Sequence, residues 1–261
     1  MYQLMMFFKA IILTISINLF STAILNANND GILQQEQEGL VYKKARSFGL
    51  LLHGNGFGLN ADFISMQNYY KRKFYRFELV TMKHPKEFKE TAFLNRSKPY
   101  AFGKINSFYN IQVTKGQMNL LADKGRKNGV EISWLYAYGV AIGIAKPYYL
   151  LNCGGSEFCN EQIPIKYSPE TEAIWLNPPQ GGQVSKAPGN LGWTEVKLHP
   201  GLHAKLGVNI DFALFDDLIQ AVEFGIKVNA YAKRIPILVG DNNRFIFPNV
   251  YIKASIGRRI Y

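Results

Sequence analysis

Acid–base or nucleophilic chemistry in this 261-residue chain would have to start from four histidines, His53, His84, His199 and His203, and two cysteines, Cys153 and Cys159. A histidine serves as general acid or base, or activates a nucleophile, only with a partner such as Ser, Asp or Glu within hydrogen-bond reach. His84 and His203 are the candidates, because the strand pattern developed below turns both inward near one rim. No GxSxG turn and no metal-spaced ligand set accompanies them, so neither a metal nor a cofactor is expected. The cysteines stand in CGGSEFC with only Glu157 between them as a further ligand. A metal would want more ligands than that. A disulfide between Cys153 and Cys159, closing a short surface loop, is the simpler expectation for a cysteine pair in an exported chain.

A second group could act only collectively. Arg76, Glu78, Glu131, Lys205, Asp211, Glu223, Lys227, Lys233, Lys253 and Arg259 each alternate with apolar neighbours, and their signs are mixed. If they share an enclosed interior they must pair or remain there at high cost, so an ionic network is expected. The chain as a whole carries a formal charge of +11. That balance could suit nucleic acid, but no basic recognition helix or groove motif gathers the charge, and nucleic acid is not expected as a partner. Charge spread along strands and turns fits anionic lipid head groups at least as well.

These charges need strands to position them. LHAKLGVNIDFAL at 202–214 puts Leu202, Ala204, Leu206, Val208, Ile210 and Phe212 on one face and His203, Lys205, Gly207, Asn209 and Asp211 on the other. Two further segments, 220–234 and 247–261, alternate as clearly, and weaker alternation recurs at 130–144, 108–115 and 75–79. In SFGLLLHGNGFGLNADF the apolar phase switches at His53-Gly54-Asn55-Gly56. A tight hairpin gives that switch, and so does a bulge within one strand. The hairpin reading, which is favoured, brings the count to eight. Short joins are expected at 65–70, 122–129 and 214–219, and long ones at 86–103, 147–199 and 239–244.

A water-soluble barrel could alternate in the same way with its apolar face inward. Three successive strands with an uninterrupted apolar face, opposite a face of glycines and charges, instead predict lipid outside and a filled polar lumen within. Trp134, Tyr136, Tyr138, Tyr148, Tyr149, Tyr109 and Tyr75 are expected at the rims as aromatic girdles. The N-terminus MYQLMMFFKAIILTISINLFSTAILNANND carries Lys9, an apolar run from Ala10 to Phe20 and then small residues. It reads as a signal peptide over 1–27, with cleavage after Ala23 or Ala27, since its apolar run falls short of the ~20 residues a spanning helix needs. A flexible segment over 28–40 is expected next. An all-β, antiparallel transmembrane β-barrel would then fill 41–261, with a long extracellular loop at about 147–199 in which NPPQGGQVSKAPGNLGW at 177–193 is expected to be irregular and surface-exposed.

LLHGNGFGLNADF, YRFELVTMKHPKE, PGLHAKLGVNIDFALFDD and the closing IGRRIY resemble an uncharacterised group of small outer-membrane β-barrel proteins of Bacteroidota-type bacteria. The resemblance implies a fold and a compartment, the outer membrane of a Gram-negative cell, and no catalytic residues. Tyr261 departs from the usual barrel ending, being aromatic but out of phase with Ile252, Ala254, Ile256 and Ile260. Eight strands enclose room for side chains only, so a plugged barrel is expected over a narrow pore. The expected role is a non-enzymatic structural or accessory subunit of a larger surface complex in protein assembly, export or uptake. Its partners would be outer-membrane lipid and lipopolysaccharide, and other outer-membrane proteins through the extracellular loops. The alternatives are a lipid A-modifying enzyme using His84 and His203, and the pore.

Overall fold

The computed structural model describes residues 43–90, 99–124, 129–152, 163–176, 184–215, 217–240 and 243–260. The expected signal peptide, the 28–40 segment, the Cys153–Cys159 pair and Tyr261 lie outside the described residues.

Alternation of period two turns successive side chains to opposite faces of a strand, and here it is satisfied by a cylinder. Its eight strands are β1 (Lys44–His53), β2 (Gly56–Asn68), β3 (Lys71–Met82), β6 (Asn106–Ala122), β7 (Glu131–Pro147), β11 (Lys197–Asp211), β12 (Leu218–Tyr231) and β13 (Ile246–Ile260). All pair antiparallel, in the order β1, β13, β12, β11, β7, β6, β3, β2, and β2 closes back on β1. Closure pairs every strand on both sides and removes the edges that lipid could not satisfy. The described residues contain no helix long and apolar enough to cross a membrane. The outside is an apolar belt in which Leu50, Leu59, Leu79, Leu206, Ile226 and Ile252 are all exposed. Between them on the same strands, Asn60, Glu78, Lys205, Lys227 and Lys253 are buried. The fold is a transmembrane β-barrel with a polar, filled lumen.

The phase switch after Leu52 is a hairpin. His53 pairs with Gly56 across a turn of Gly54 and Asn55. The His53 ring holds it in place: Nε2 donates to the Thr81 carbonyl at 3.1 Å, and Nδ1 accepts the Asn55 amide at 3.3 Å. Connections at one end, here the turn end, are short: Tyr69–Tyr70, residues 123–130 and residues 212–217. Except for that first hairpin, connections at the opposite loop end are long.

Strand limits differ from the alternation for a physical reason. β3 and β6 extend well beyond 75–79 and 108–115 because their turn-end residues reverse the usual polarity. There Lys71, Lys115 and Gln117 point outward, while Phe74, Gly116 and Met118 point in. Lys115 lies over the Tyr75 ring, and Gln117 accepts the Tyr136 hydroxyl. Phe74 needs the glycine opposite it, since a Cβ on Gly116 would stand 2.4 Å from the ring's Cζ. β12 stops at Tyr231, before Lys233, because the chain then folds into the barrel mouth and buries Ile235 and Ile237.

The described residues of the long loop include regular elements; of the 177–193 stretch expected to be irregular, residues 177–183 lie outside the described residues and Val184–Lys186 form a strand. β8 (Tyr149–Asn152), β9 (Ile163–Lys166) and β10 (Val184–Lys186) form a three-stranded sheet in the order β10, β8, β9, and a short helix, α1 (Glu172–Leu176), follows β9. The preceding loop pairs β4 (Lys89–Glu90) with β5 (Tyr100–Ala101). Tyr100, Tyr148, Leu150, Trp175 and Val184 form a small core above the mouth. Tyr148 is therefore an interior residue, whose hydroxyl accepts the Ala101 amide, and not part of a girdle. Tyr138 lies outward at mid-height on β7, away from either rim.

The lipid-facing assignment predicts unequal costs for the two phases of a strand. Ile226→Arg, near the middle of β12 and outward, should destabilise the barrel by about 2–4 kcal/mol, as a charge at the bilayer midplane does. Asn209→Ala, inward on β11, should cost far less. Urea titration of the protein folded into phospholipid vesicles, read by heat-modifiable gel migration, measures both, and equal costs would contradict the assignment.

Candidate functional site

The inward residues of β3, read from the turn end, are Arg72, Phe74, Arg76, Glu78, Val80 and Met82. This one strand gives the order of the lumen's layers. Lowest is an ionic cluster in which Arg72 forms a two-pronged pair with Glu131, and Arg259 reaches Asp211 at 2.5 Å and Glu131 at 3.9 Å. Lys124 closes it from below at 3.7 Å from Asp211. An apolar layer of Phe74, Met118, Leu135 and Ile219 covers that cluster.

The centre of the lumen is held by Arg76. Its guanidinium grips Asp62 through Nε at 2.6 Å and Nη2 at 2.9 Å, and Glu223 through Nη1 at 2.6 Å and Nη2 at 2.7 Å. The planar fork makes two bonds to each carboxylate, four in all, which the three donors of an ammonium could not match. Lys253 bridges the same two carboxylates, at 2.7 Å from each, and the Tyr251 hydroxyl donates to Glu223 at 2.8 Å. Lys205 pairs with Glu78. β3 and β12 stand four places apart in the ring of eight, so the Arg76–Glu223 pair spans the barrel's full width.

Nine of the expected network residues are buried in these layers, and Lys233 is not: it lies exposed beyond the end of β12. Lys227 is buried but its Nζ has no hydrogen-bond partner among the described residues. Four members are not in the expected network. Asp62 alternates with Ala61 and Phe63, so the β2 phase applied to its polar side points to it. Arg72 lies four residues before Arg76 and so shares its face, but beyond where the β3 alternation fades. Tyr251 alternates with Val250 and Ile252, and its hydroxyl completes the shell around Glu223. Lys124 stands in a turn-end join, where no alternation points to it.

The two candidate catalytic histidines are in different environments. His203 is buried in the upper lumen, with Nδ1 2.5 Å from Asn229 Oδ1, which also accepts from Gln112 Nε2 at 3.1 Å. An amide oxygen only accepts, so Nδ1 carries the proton. Above it Phe108, Tyr231, Phe247, Ile235 and Ile237 fill the mouth. His84 is two residues past the end of β3, in a half-buried turn where Nδ1 accepts the Lys86 amide at 3.2 Å. It is therefore not an inward strand position. Among the described residues no group of three His, Cys, Asp or Glu side chains could hold a metal.

The loop end presents the other polar surface. Trp175 Nε1 donates to the Lys104 carbonyl at 2.9 Å and ties α1 to the mouth. Trp193 stacks on Tyr109 with centroids 5.8 Å apart and carries Lys146 on its other partnered side at 4.7 Å. Lys166 and the Tyr149 hydroxyl both reach Glu195, each at 2.7 Å. Those two donors hold the Glu195 carboxyl below its ordinary pKa.

The lumen predicts opposite outcomes for two buried cations. Arg76→Met strands Asp62 and Glu223 with Lys253 alone, and should cost about 3–5 kcal/mol. Lys227→Met removes an ammonium that has no protein partner, and should be neutral or stabilising. The midpoint of urea unfolding in vesicles distinguishes them; equal losses would mean that Lys227 is held as tightly as Arg76.

No protein-family model and no curated protein matches the sequence. Among solved structures the chain is similar to Neisserial surface protein A, with a TM-score of 0.41, 7% identity, and coverage of 84% of this chain and 96% of that one. It is similar also to Ail, the attachment invasion locus protein of Yersinia pestis, with a TM-score of 0.39, 9% identity and coverage of 84% and 99%. Ail in complex with the heparin analogue sucrose octasulfate gives a TM-score of 0.40 and 12% identity over the same shares. At these scores the likeness says nothing of what this chain binds.

Proposed function

We propose that the protein is a non-enzymatic outer-membrane β-barrel of a Gram-negative cell, a structural or accessory subunit that presents its loop end to a larger surface complex for protein assembly, export or uptake. The observation that carries this reading is the platform over the mouth. A barrel that served only to span the membrane would need no such structure, yet here β8, β9, β10 and α1 build a core of their own and are fastened to the barrel through Trp175 and Lys104. Long connections with internal structure are commonly functional. Short turns at one end and long loops at the other give the orientation usual for such barrels, with the platform outside the cell. Outer-membrane lipid and lipopolysaccharide would surround the belt, and other outer-membrane proteins would meet the platform.

The lumen's contents weigh against the two alternatives. Conduction would need a path past Phe108, Tyr231 and Phe247 at the mouth, past the Arg76 cluster, and past Phe74 and Leu135 below. An enzyme acting on lipid A would need His203 to meet its substrate through the same filling, or His84 to work from its turn without it. Replacing residues 153–193 with a short Gly/Ser linker should abolish co-purification of partners from native membranes in mild detergent, because affinity concentrates in a few anchoring residues. The variant should keep its heat-modifiable migration. His84→Ala and His203→Ala should leave the lipid A mass spectrum unchanged. An altered spectrum in either, with co-purification intact, would replace this reading with the enzymatic one.

A further inference from the structure

One cavity at the loop end belongs to none of the features above. It holds about 270 Å³ and lies where the strands β2, β3 and β6 give way to loops and to β10. Its floor is the barrel rim, with Phe57, Thr81, Ser107 and Tyr109, and its walls bring in Lys83, Lys89, Lys104 and Lys186 against a single carboxylate, Glu87. Lys104 is 8% exposed, and its Nζ donates to both Glu87 oxygens at 2.9 Å. Burial pushes the Lys104 ammonium below its ordinary pKa, Glu87 draws it back up, and the charges of Lys83 and Lys186 add to the depression. Lys83 and Lys186 line the same cavity as Lys104. Neither has a carboxylate of its own among the ion pairs of the described residues.

Lys83, Lys89, Lys104 and Lys186 line the cavity with one carboxylate, Glu87, which leaves an excess of positive charge in a partly enclosed space. Lysine recognises phosphate as a point charge and needs no fixed fork geometry. The position adds a second constraint. Phe57 is an exposed member of the apolar belt, and Tyr109 lies outward beside Trp193, so the cavity opens at the level where hydrocarbon meets head groups. A ligand there can place an anion among the lysines and an acyl chain along Phe57 without leaving the membrane.

We propose that this cavity binds a phosphate group of a phosphorylated glycolipid in the outer leaflet, with its acyl chains lying on the β2–β3 wall. The proposal rests on the outer-membrane orientation given above. Lys83 and Lys186 supply the charges that the ligand neutralises, and Lys104, held by Glu87, supports the site from beneath.

Native mass spectrometry of the detergent-purified full chain tests it, with bis-phosphorylated lipid A, dephosphorylated lipid A and inorganic phosphate as probes. Lipid A should bind one to one, and removal of its phosphates should lower the affinity at least tenfold. Lys83→Gln with Lys186→Gln should lose it to the same degree, while Lys83→Arg with Lys186→Arg retains it. Lys166→Gln, an equal loss of charge per site on the small sheet, should also retain it. Heat-modifiable migration establishes that each variant is folded. Equal binding of lipid A with and without phosphate, or unchanged binding in the double Gln variant, would overturn the site. Inorganic phosphate that binds as tightly as lipid A would make a soluble phosphate the ligand and overturn the lipid. Membrane fractionation of the wild type is read separately, so a protein that binds lipid A but sediments away from the outer membrane would refute the orientation and leave the site standing.

Discussion

Arg76 lies between Asp62 and Glu223 at the centre of a cylinder filled with side chains, and the rest of the lumen is arranged around that fact. Three carboxylates, Asp62, Glu78 and Glu223, share the middle layers with Arg76, Lys205, Lys227 and Lys253. In such a space a charge is costly unless it stands beside its opposite, and all but Lys227 do so. The arrangement also has a mechanical result. Arg76 joins β3 to β12 across the full width, Lys253 joins β13 to β2, and Lys205 joins β11 to β3. Hydrogen bonds between neighbouring strands close the wall, but these pairs tie strands that are not neighbours, and Arg76–Glu223 ties its opposite sides.

The same constraint explains why the lumen is layered. Charges cannot be stacked without limit, because each layer needs both signs at contact distance, and between the Arg72–Glu131 cluster and the Arg76 centre lies an apolar layer led by Phe74 and Leu135. The outer surface compensates at that height, where Lys115 and Gln117 sit outside against aromatic rings. Inside and outside exchange character near the turn end, and the exchange marks where the membrane's hydrocarbon stops.

This exchange also decides what could be read from the sequence. Where lipid and lumen each impose one polarity, as on β11, β12 and β13, period-two alternation identifies the strand, its faces and most of its buried charges. On β3 and β6 the turn-end residues invert the pattern, so the alternation covers only part of each strand, and Arg72 falls outside it. Lys233 fails for the complementary reason. Its phase is right, but after Tyr231 the chain leaves the wall to fill the mouth with Ile235 and Ile237, a tertiary event that no local periodicity records. The small sheet over the mouth was illegible because β8, β9 and β10 run only three or four residues each. A strand that short contains too few alternations to be distinguished from a Pro- and Gly-rich loop.

A sealed lumen moves the question of function to the rims. The turn end offers short joins and an ionic cluster in which Arg72 pairs with Glu131 and Arg259 with Asp211. At the loop end the balance is different: Glu87 is fully engaged by Lys104, Glu195 is engaged by Lys166 and Tyr149, and Lys83 and Lys186 remain beside the first of these carboxylates without one of their own. Lysines clustered at the boundary of the apolar belt are, on the proposal above, what meets anions supplied by the lipid. The platform is fixed to the barrel rim by Trp175 on the Lys104 carbonyl and by Trp193 on Tyr109. On the proposed lipid site, a partner docking on the platform would meet protein and lipid phosphate together, and its surface would be a composite of both.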